Sequence, residues 1–190
     1  MIQSDPSLSE QSASIEKTLA RAAREITTDE FSTLIGDPGN SVLRAAMHVV
    51  AADSLTVWLA DVKEEHLVVT HTFPDPSFAG WKQPLSEGLV GLTYASGQRL
   101  CENQVYQNQD HSKRVDEALS QVTFAMIATP FHIAGNLRGV ISCVQLKDSI
   151  EARDPVGFSA RDMNRIGRLA TAVERLVNYR LLTNLLDVEL

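Results

Sequence analysis

The sequence predicts an α+β fold: one central antiparallel sheet with terminal helices on one face and short helices and loops on the other. Three observations carry this prediction. Apolar residues at helical spacing, opened by capping residues, occupy both ends of the chain. Two pairs of β-type runs lie between them, at 54–73 and 122–146, each pair joined by a short turn. The stretch from 74 to 121 alternates short helical runs with Pro, Gly and Asn breaks.

The first 26 residues predict a helix. Ser7 and Glu10 form a capping box, and Leu8, Ile15, Leu19, Ala22 and Ile26 follow at helical spacing. That stripe is narrow, as suits a helix lying on another surface or on its own copy. Thr27 and Glu30 open a second, short helix ending near Gly36. Asp37-Pro38-Gly39 then reads as a turn, and Asn40 as the cap of a third helix over 41–51 with Val42, Ala46 and Val49 on one side. Ser54–Ala60 and His66–Phe73 form a hairpin across a charged turn. Phe73-Pro74-Asp75-Pro76 breaks it. Ser86 caps a short helix over 88–96 that stops at Gly97. Arg99–Glu102 is a short strand, 103–111 a polar loop, and Ser112 caps a helical turn ending at Leu119. Val122–Ile133 is almost wholly apolar, so it reads as a strand covered on both faces, and Leu137–Leu146 returns beside it across Ala134-Gly135-Asn136. After a loop over 148–157, Ser159 and Asp162 cap the longest helix. It runs through Ile166, Leu169, Val173, Val177 and Leu181 to Leu185. About 28 helical residues span roughly 42 Å, more than a small sheet needs, so part of this helix must lie on a partner surface.

The chain has 190 residues, 44% of them apolar, and a net charge of −7 from 17 basic and 24 acidic side chains. That is enough for one domain with its own core. No apolar run approaches the roughly 20 residues that cross a bilayer, and no signal-like segment opens the chain. A cytoplasmic protein with no membrane partner is expected. Two cysteines, Cys101 and Cys143, make neither a disulfide framework nor a zinc site. The acidic balance and the lack of a Lys/Arg block predict no nucleic-acid partner.

Specific stretches, in this order, resemble the GAF family, the small-molecule sensing modules of bacterial signalling proteins. Pro84-Leu-Ser-Glu-Gly-Leu-Val-Gly91, continuing to Gly97, is similar to the family's "G-x-x-G, short helix, small residue, G" segment. Arg99–Val105 with Tyr106 and Asp110, then Ala128-Thr-Pro-Phe131, Gly139–Leu146 and Phe158-Ser-Ala-Arg-Asp162, resemble the segments that follow it. The resemblance covers about 40–182 and implies a GAF-like (PAS-like) sheet. Residues 1–39 are then an N-terminal helical extension, 40–182 the GAF domain, and 183–190 the end of the C-terminal helix.

The branches of the family differ in chemistry. Cyclic-nucleotide binders carry an Asn-Lys pair after the penultimate strand and F-x-x-x-D-E at the last helix. Here Gln145-Leu146 stands at the first place. Phe158 and Asp162 match at the second, and Met163 replaces the Glu. Phe158 also reads as a core plug and Asp162 as a cap acid. Bilin binders need a Cys where 109–120 offers only His111. The reductase branch needs several reactive cysteines. Cys143 lies in an apolar strand, and Cys101 beside Glu102 has no activating neighbour. No serine–histidine–acid pattern stands out. His48, His66, His71, His111 and His132 form no metal-ligand pair at helical spacing, and His66 and His71 sit five apart on one strand. No metal is expected, and the residues leave the cofactor unknown.

The resemblance places a ligand cavity between the sheet and 75–125. Trp58, Phe73, Trp81, Tyr106, Phe124 and Met126 are candidates to line it, with His111 and His71 as polar points. Phe124 and Met126 share a strand face by the period of two. Each of these is equally suited to filling the core. The expected function is that of a non-enzymatic sensory or regulatory module. It would bind an unidentified small molecule and signal through its terminal helices in a homodimer, with the helices containing Ile15, Leu19 and Ile26 and Val173, Val177 and Leu181 forming the dimer surface. Arg180 and Asn184 interrupt that seam. No output domain is evident, so an output protein in trans is one expectation and a fragment of a longer chain another. The alternatives are a dimerisation or docking module with a collapsed pocket, and a thiol redox enzyme using Cys101.

Overall fold

The computed structural model describes residues 6–186, with side chains from Gln11 onward. In chain order the elements are α1 (Pro6–Glu25), α2 (Thr28–Val49), β1 (Ser54–Ala60), β2 (His66–Phe73), β3 (Lys82–Pro84), α3 (Gly88–Ser96), β4 (Leu100–Glu102), α4 (Arg114–Leu119), β5 (Val122–Ile133), β6 (Asn136–Lys147) and α5 (Ala160–Leu185). Single 3-10 turns lie at Pro76–Phe78 and Val105–Gln107. The six strands form one sheet in the order β3-β2-β1-β6-β5-β4, every neighbouring pair antiparallel. The predicted class and the two hairpins are present. The Ser7–Glu10 capping box lies outside the described side chains. β3 is an addition: three residues too short for any alternation, made a strand only by pairing with His66–Val68 of β2.

Alternation along the strands separates two cores. Leu55, Val57, Leu59, Ile127, Phe131 and Ile141 point to the face covered by α1, α2 and α5. Trp58, Ala60, Met126, Ala128 and Val140 point to the face covered by α3 and the loops, where Leu89, Val90 and Val105 meet them.

The N-terminal region departs from the expected helix pattern. Thr27 and Glu30 form the predicted capping box. The break at its far end is one residue, Gly36, at φ 55° and ψ −170°. Only glycine takes that backbone readily, and a Cβ there would come within 2.7 Å of Arg180 Nη1. Helix resumes at once, so Asp37-Pro38-Gly39 is a first turn rather than a loop. A proline costs nothing there because its missing N–H would be unpaired anyway. Asn40 is not a cap, and its Oδ1 has no hydrogen-bond partner among the described residues. The buried face is Gly39, Leu43 and Met47, while Val42 and Val49 are exposed. Gly39 fixes that phase by letting the helix approach Leu176 of α5.

α5 is capped by Ser159 and Asp162 as predicted. Ile166, Leu169, Val173, Val177 and Leu181 face the sheet and α2. They are therefore used within the protomer, as is Ile26, and cannot form the intersubunit seam expected of them. Arg180 is also used internally: its Nη1 donates to the carbonyls of Leu34 and Ile35 at 3.0 and 3.3 Å, closing the broken end before Gly36. Ala23 of α1 and Ile26 just beyond it are buried and Leu19 and Ala22 partly so, whereas residues 11–18 are exposed on every side.

Candidate functional site

The open space lies where the sequence places it, between the sheet and α3–α4, but a different set of residues lines it. Trp58, His111 and Met126 of the candidates reach the cavity. Trp81 stands behind Phe78, stacked on it at 5.2 Å, and Phe78 is the ring that lines the wall. Phe73 and Phe124 belong to the helix-side core instead, and Tyr106 packs against that core, stacked on Phe124 at 6.3 Å. His71 opens with Phe73 onto a separate surface depression beside α2. Phe124 and Met126 do not share a face, because β5 bulges between Thr123 and Ala125. The extra residue turns Phe124 over to the helices and brings Thr123 round to the cavity.

The floor is formed by β1, β2 and β6. Ser54, Thr56 and Trp58 occupy alternate positions of β1, so all three face the cavity. Thr56 stands opposite Thr72 on one side and opposite Ser142 on the other, which makes a row of three hydroxyls across adjacent strands. The Trp58 indole N–H donates to Ser142 Oγ at 3.0 Å. Period-two polarity in an otherwise buried strand was the available sequence signal for these residues.

The roof is held by two carboxylates. Asp116 Oδ2 accepts from Thr123 N at 3.1 Å and meets His111 Nε2 at 3.0 Å; Oδ1 accepts from Thr123 Oγ1 at 2.6 Å and Gln121 Nε2 at 3.2 Å. Burial pushes this carboxyl up, but those hydrogen bonds outweigh it and hold it below its ordinary value. Glu87, at the start of α3, accepts from the Ser112 hydroxyl and pairs with Arg114 at 2.9 Å. The Ser112 bond leads in holding Glu87 below the usual carboxylate range, against burial and with help from Arg114. Gly91 permits the tight turn beneath α3, since a Cβ there would stand 2.5 Å from the Leu85 carbonyl. The cavity measures about 60 Å³ as felt by the centre of a water molecule. At about 10–15 Å³ per water by that measure, it has room for roughly four to six.

The thiols are poorly placed for redox work. Cys101 and Cys143 both pair with Ile127, from opposite sides. Two strand spacings put their backbones roughly 9–10 Å apart, beyond the roughly 7 Å that a disulfide spans. Burial raises the Cys143 thiol far above its ordinary value. Partial burial, then Glu102 and Asp162, raise that of Cys101. No group of three or more potential metal ligands occurs among the described residues.

No family model matches the sequence, and no curated protein matches it. Solved structures do. The GAF domain of a phosphoenolpyruvate-protein phosphotransferase from Coxiella burnetii superposes with a TM-score of 0.61, at 13% identity, over 93% of this chain and 96% of that one. A GAF domain/HD domain protein from Geobacter sulfurreducens gives 0.60 at 14% identity, over 80% and 97%.

This chain has the GAF fold.

A third match is an enzyme, free methionine-R-sulfoxide reductase from Neisseria meningitidis in complex with its substrate, at a TM-score of 0.58 and 19% identity over 87% of this chain and 86% of that one. Identities this low carry the fold and nothing finer. Of the two cyclic-nucleotide motif residues that match, Phe158 is buried in the helix-side core of this GAF fold, and Asp162 is the capping acid of α5. Gln145 is also spoken for, bonding the Ala51 carbonyl and the Gly157 N–H.

Proposed function

We propose that this chain is a sensory or regulatory GAF module that binds a small molecule in the cavity and signals through its terminal helices as a homodimer. One observation carries the reading: cavity and terminal helices lie on opposite faces of the same strands. β1 and β6 present Thr56, Trp58 and Ser142 to the cavity and Leu55, Val57 and Ile141 to the helices. A ligand that favours one strand arrangement therefore acts on helix packing directly, by the difference in its affinity for two states. α5 also grips the β5–β6 hairpin: Glu174 Oε1 accepts from His132 N, and Asn178 Oδ1 from Ala134 N, both at 2.8 Å. Solved GAF domains from sensor and signalling proteins support the class. The output is carried either by a protein in trans or by further chain joined to a terminal helix.

The dimer surface has to come from what the protomer leaves exposed, namely Ile15 and the exposed length of α1, with Tyr179 and Leu185 on α5. Sedimentation velocity at micromolar concentration tests this: a dimer is expected, converted to monomer by Ile15→Glu or Tyr179→Glu with the melting temperature kept. A monomeric parent protein refutes the helix-mediated part. The small cavity volume favours a second reading, a docking module whose pocket stays closed.

A further inference from the structure

The cavity carries hydrogen-bonding groups that the protein itself does not use, and they define a chemistry. Thr56 and Thr72 are 8% and 7% exposed, face the cavity, and stand opposite one another in the β1–β2 ladder. Such pairs commonly bond each other across strands, yet neither hydroxyl has a partner among the described residues. Ser142, 4% exposed, accepts from the Trp58 indole and keeps its own proton for donation. Gln83, 5% exposed, donates from Nε2 to the Glu87 carbonyl at 3.0 Å, leaving its Oε1 as an acceptor in the same wall.

Fixed charge, by contrast, is either absent or spent. Among the described residues no Lys or Arg lines the cavity. Asp116 receives four hydrogen bonds, two on each oxygen, which fills its capacity. The positive end of α3 is matched by the Glu87 carboxylate at its own cap. Apolar surface from Trp58, Phe78, Leu89, Val90 and Met126 completes the walls. A phosphate or carboxylate would meet no Lys or Arg there, only the His111 ring already engaged by Asp116, and an ammonium group would meet no free anion, each at a desolvation cost the walls do not offset.

We infer that the cavity takes a small uncharged molecule with donors and acceptors along one edge and an apolar face, the chemistry of a cyclic amide or a hydroxylated ring. This rests on the ligand-binding reading above and narrows it. The polar edge meets the row Thr72–Thr56–Ser142, with Gln83 at the side, and the apolar face meets Trp58 and Met126.

Amide chemical-shift titration of the intact chain tests it with four probes of similar size: 2-pyridone, benzoate, methyl phosphate and benzylammonium. 2-Pyridone is expected to shift the Thr56, Thr72 and Ser142 resonances at millimolar concentration, and the three charged probes to leave them in place. Thr56→Val keeps shape and removes one unpartnered hydroxyl. It should weaken 2-pyridone about threefold to tenfold while leaving the melting temperature unchanged or raised. A charged probe that shifts those resonances as strongly overturns the uncharged class and leaves the cavity as a binding site. If no probe shifts them, the ligand-binding reading fails with the inference. A melting temperature lowered by several degrees in Thr56→Val makes that hydroxyl structural and overturns its assignment to a ligand.

Discussion

The two faces of the sheet share strands but not packing rules. The helix face is mostly hydrocarbon, interrupted by the buried, unpartnered hydroxyl of Thr129 between Ile127 and Phe131: Phe31 stacks on Phe131 at 5.6 Å, with Leu43, Ile127, Ile141 and Ile166 fully buried around them. The cavity face interleaves apolar residues with hydroxyls, a glutamine and a half-buried carboxylate. A well-filled core contributes stability and resists change, whereas unpartnered polar groups cost stability. The chain has therefore put its stability on one face and kept a less stable, hydrogen-bonding surface on the other.

Substitutions that behave alike on the two faces would break this comparison. The largest effect belongs to the helix face: Phe131→Ala should cost about 3–5 kcal/mol, read as a lower urea midpoint. Next comes the roof. Asp116→Asn loses charge-assisted bonds and presents an amide to donors, at about 2–3 kcal/mol. This pair of proteins also predicts a pH dependence. The Asp116 carboxyl lies below its ordinary value in the fold, so its contribution is fully present above about pH 4 and fades as pH falls through the folded value. The melting-temperature gap between parent and Asp116→Asn should therefore shrink below about pH 4; a gap that widens there contradicts the hydrogen-bond account. A smaller loss, about 1 kcal/mol, is expected for Ser159→Ala at the α5 cap, again by urea denaturation. The smallest change, with the opposite sign, belongs to the cavity floor. Thr72→Val should alter stability by less than about 0.5 kcal/mol or increase it, since no protein bond is lost.

Much of the architecture is legible in the residues. β5 and β6 are long apolar runs around a turn, and two of the three predicted capping boxes, Thr27 with Glu30 and Ser159 with Asp162, stand at their predicted places, the third lying outside the described side chains. What was not legible depends on partners distant in sequence. Phe124 turns away because of a bulge set by register against β6. The face of α2 is chosen by Gly39 against Leu176 of α5. Arg138, in the middle of an apolar strand, is fully buried, its Nη2 donating to Ile26 and Ala60 carbonyls at 3.3 and 3.0 Å. No local pattern predicts that. The hydroxyl row likewise exists only once β2, β1 and β6 are aligned, so three unremarkable residues at 56, 72 and 142 become one surface.

The central claim is that this GAF fold holds a small molecule in its polar face while its terminal helices join two copies. Native mass spectrometry of the chain purified from its source cells reads both at once. A dimer carrying a small adduct, lost in a Ser142→Phe variant that fills the cavity, is the predicted result. A monomer with no adduct at micromolar concentration would contradict the claim in both its parts.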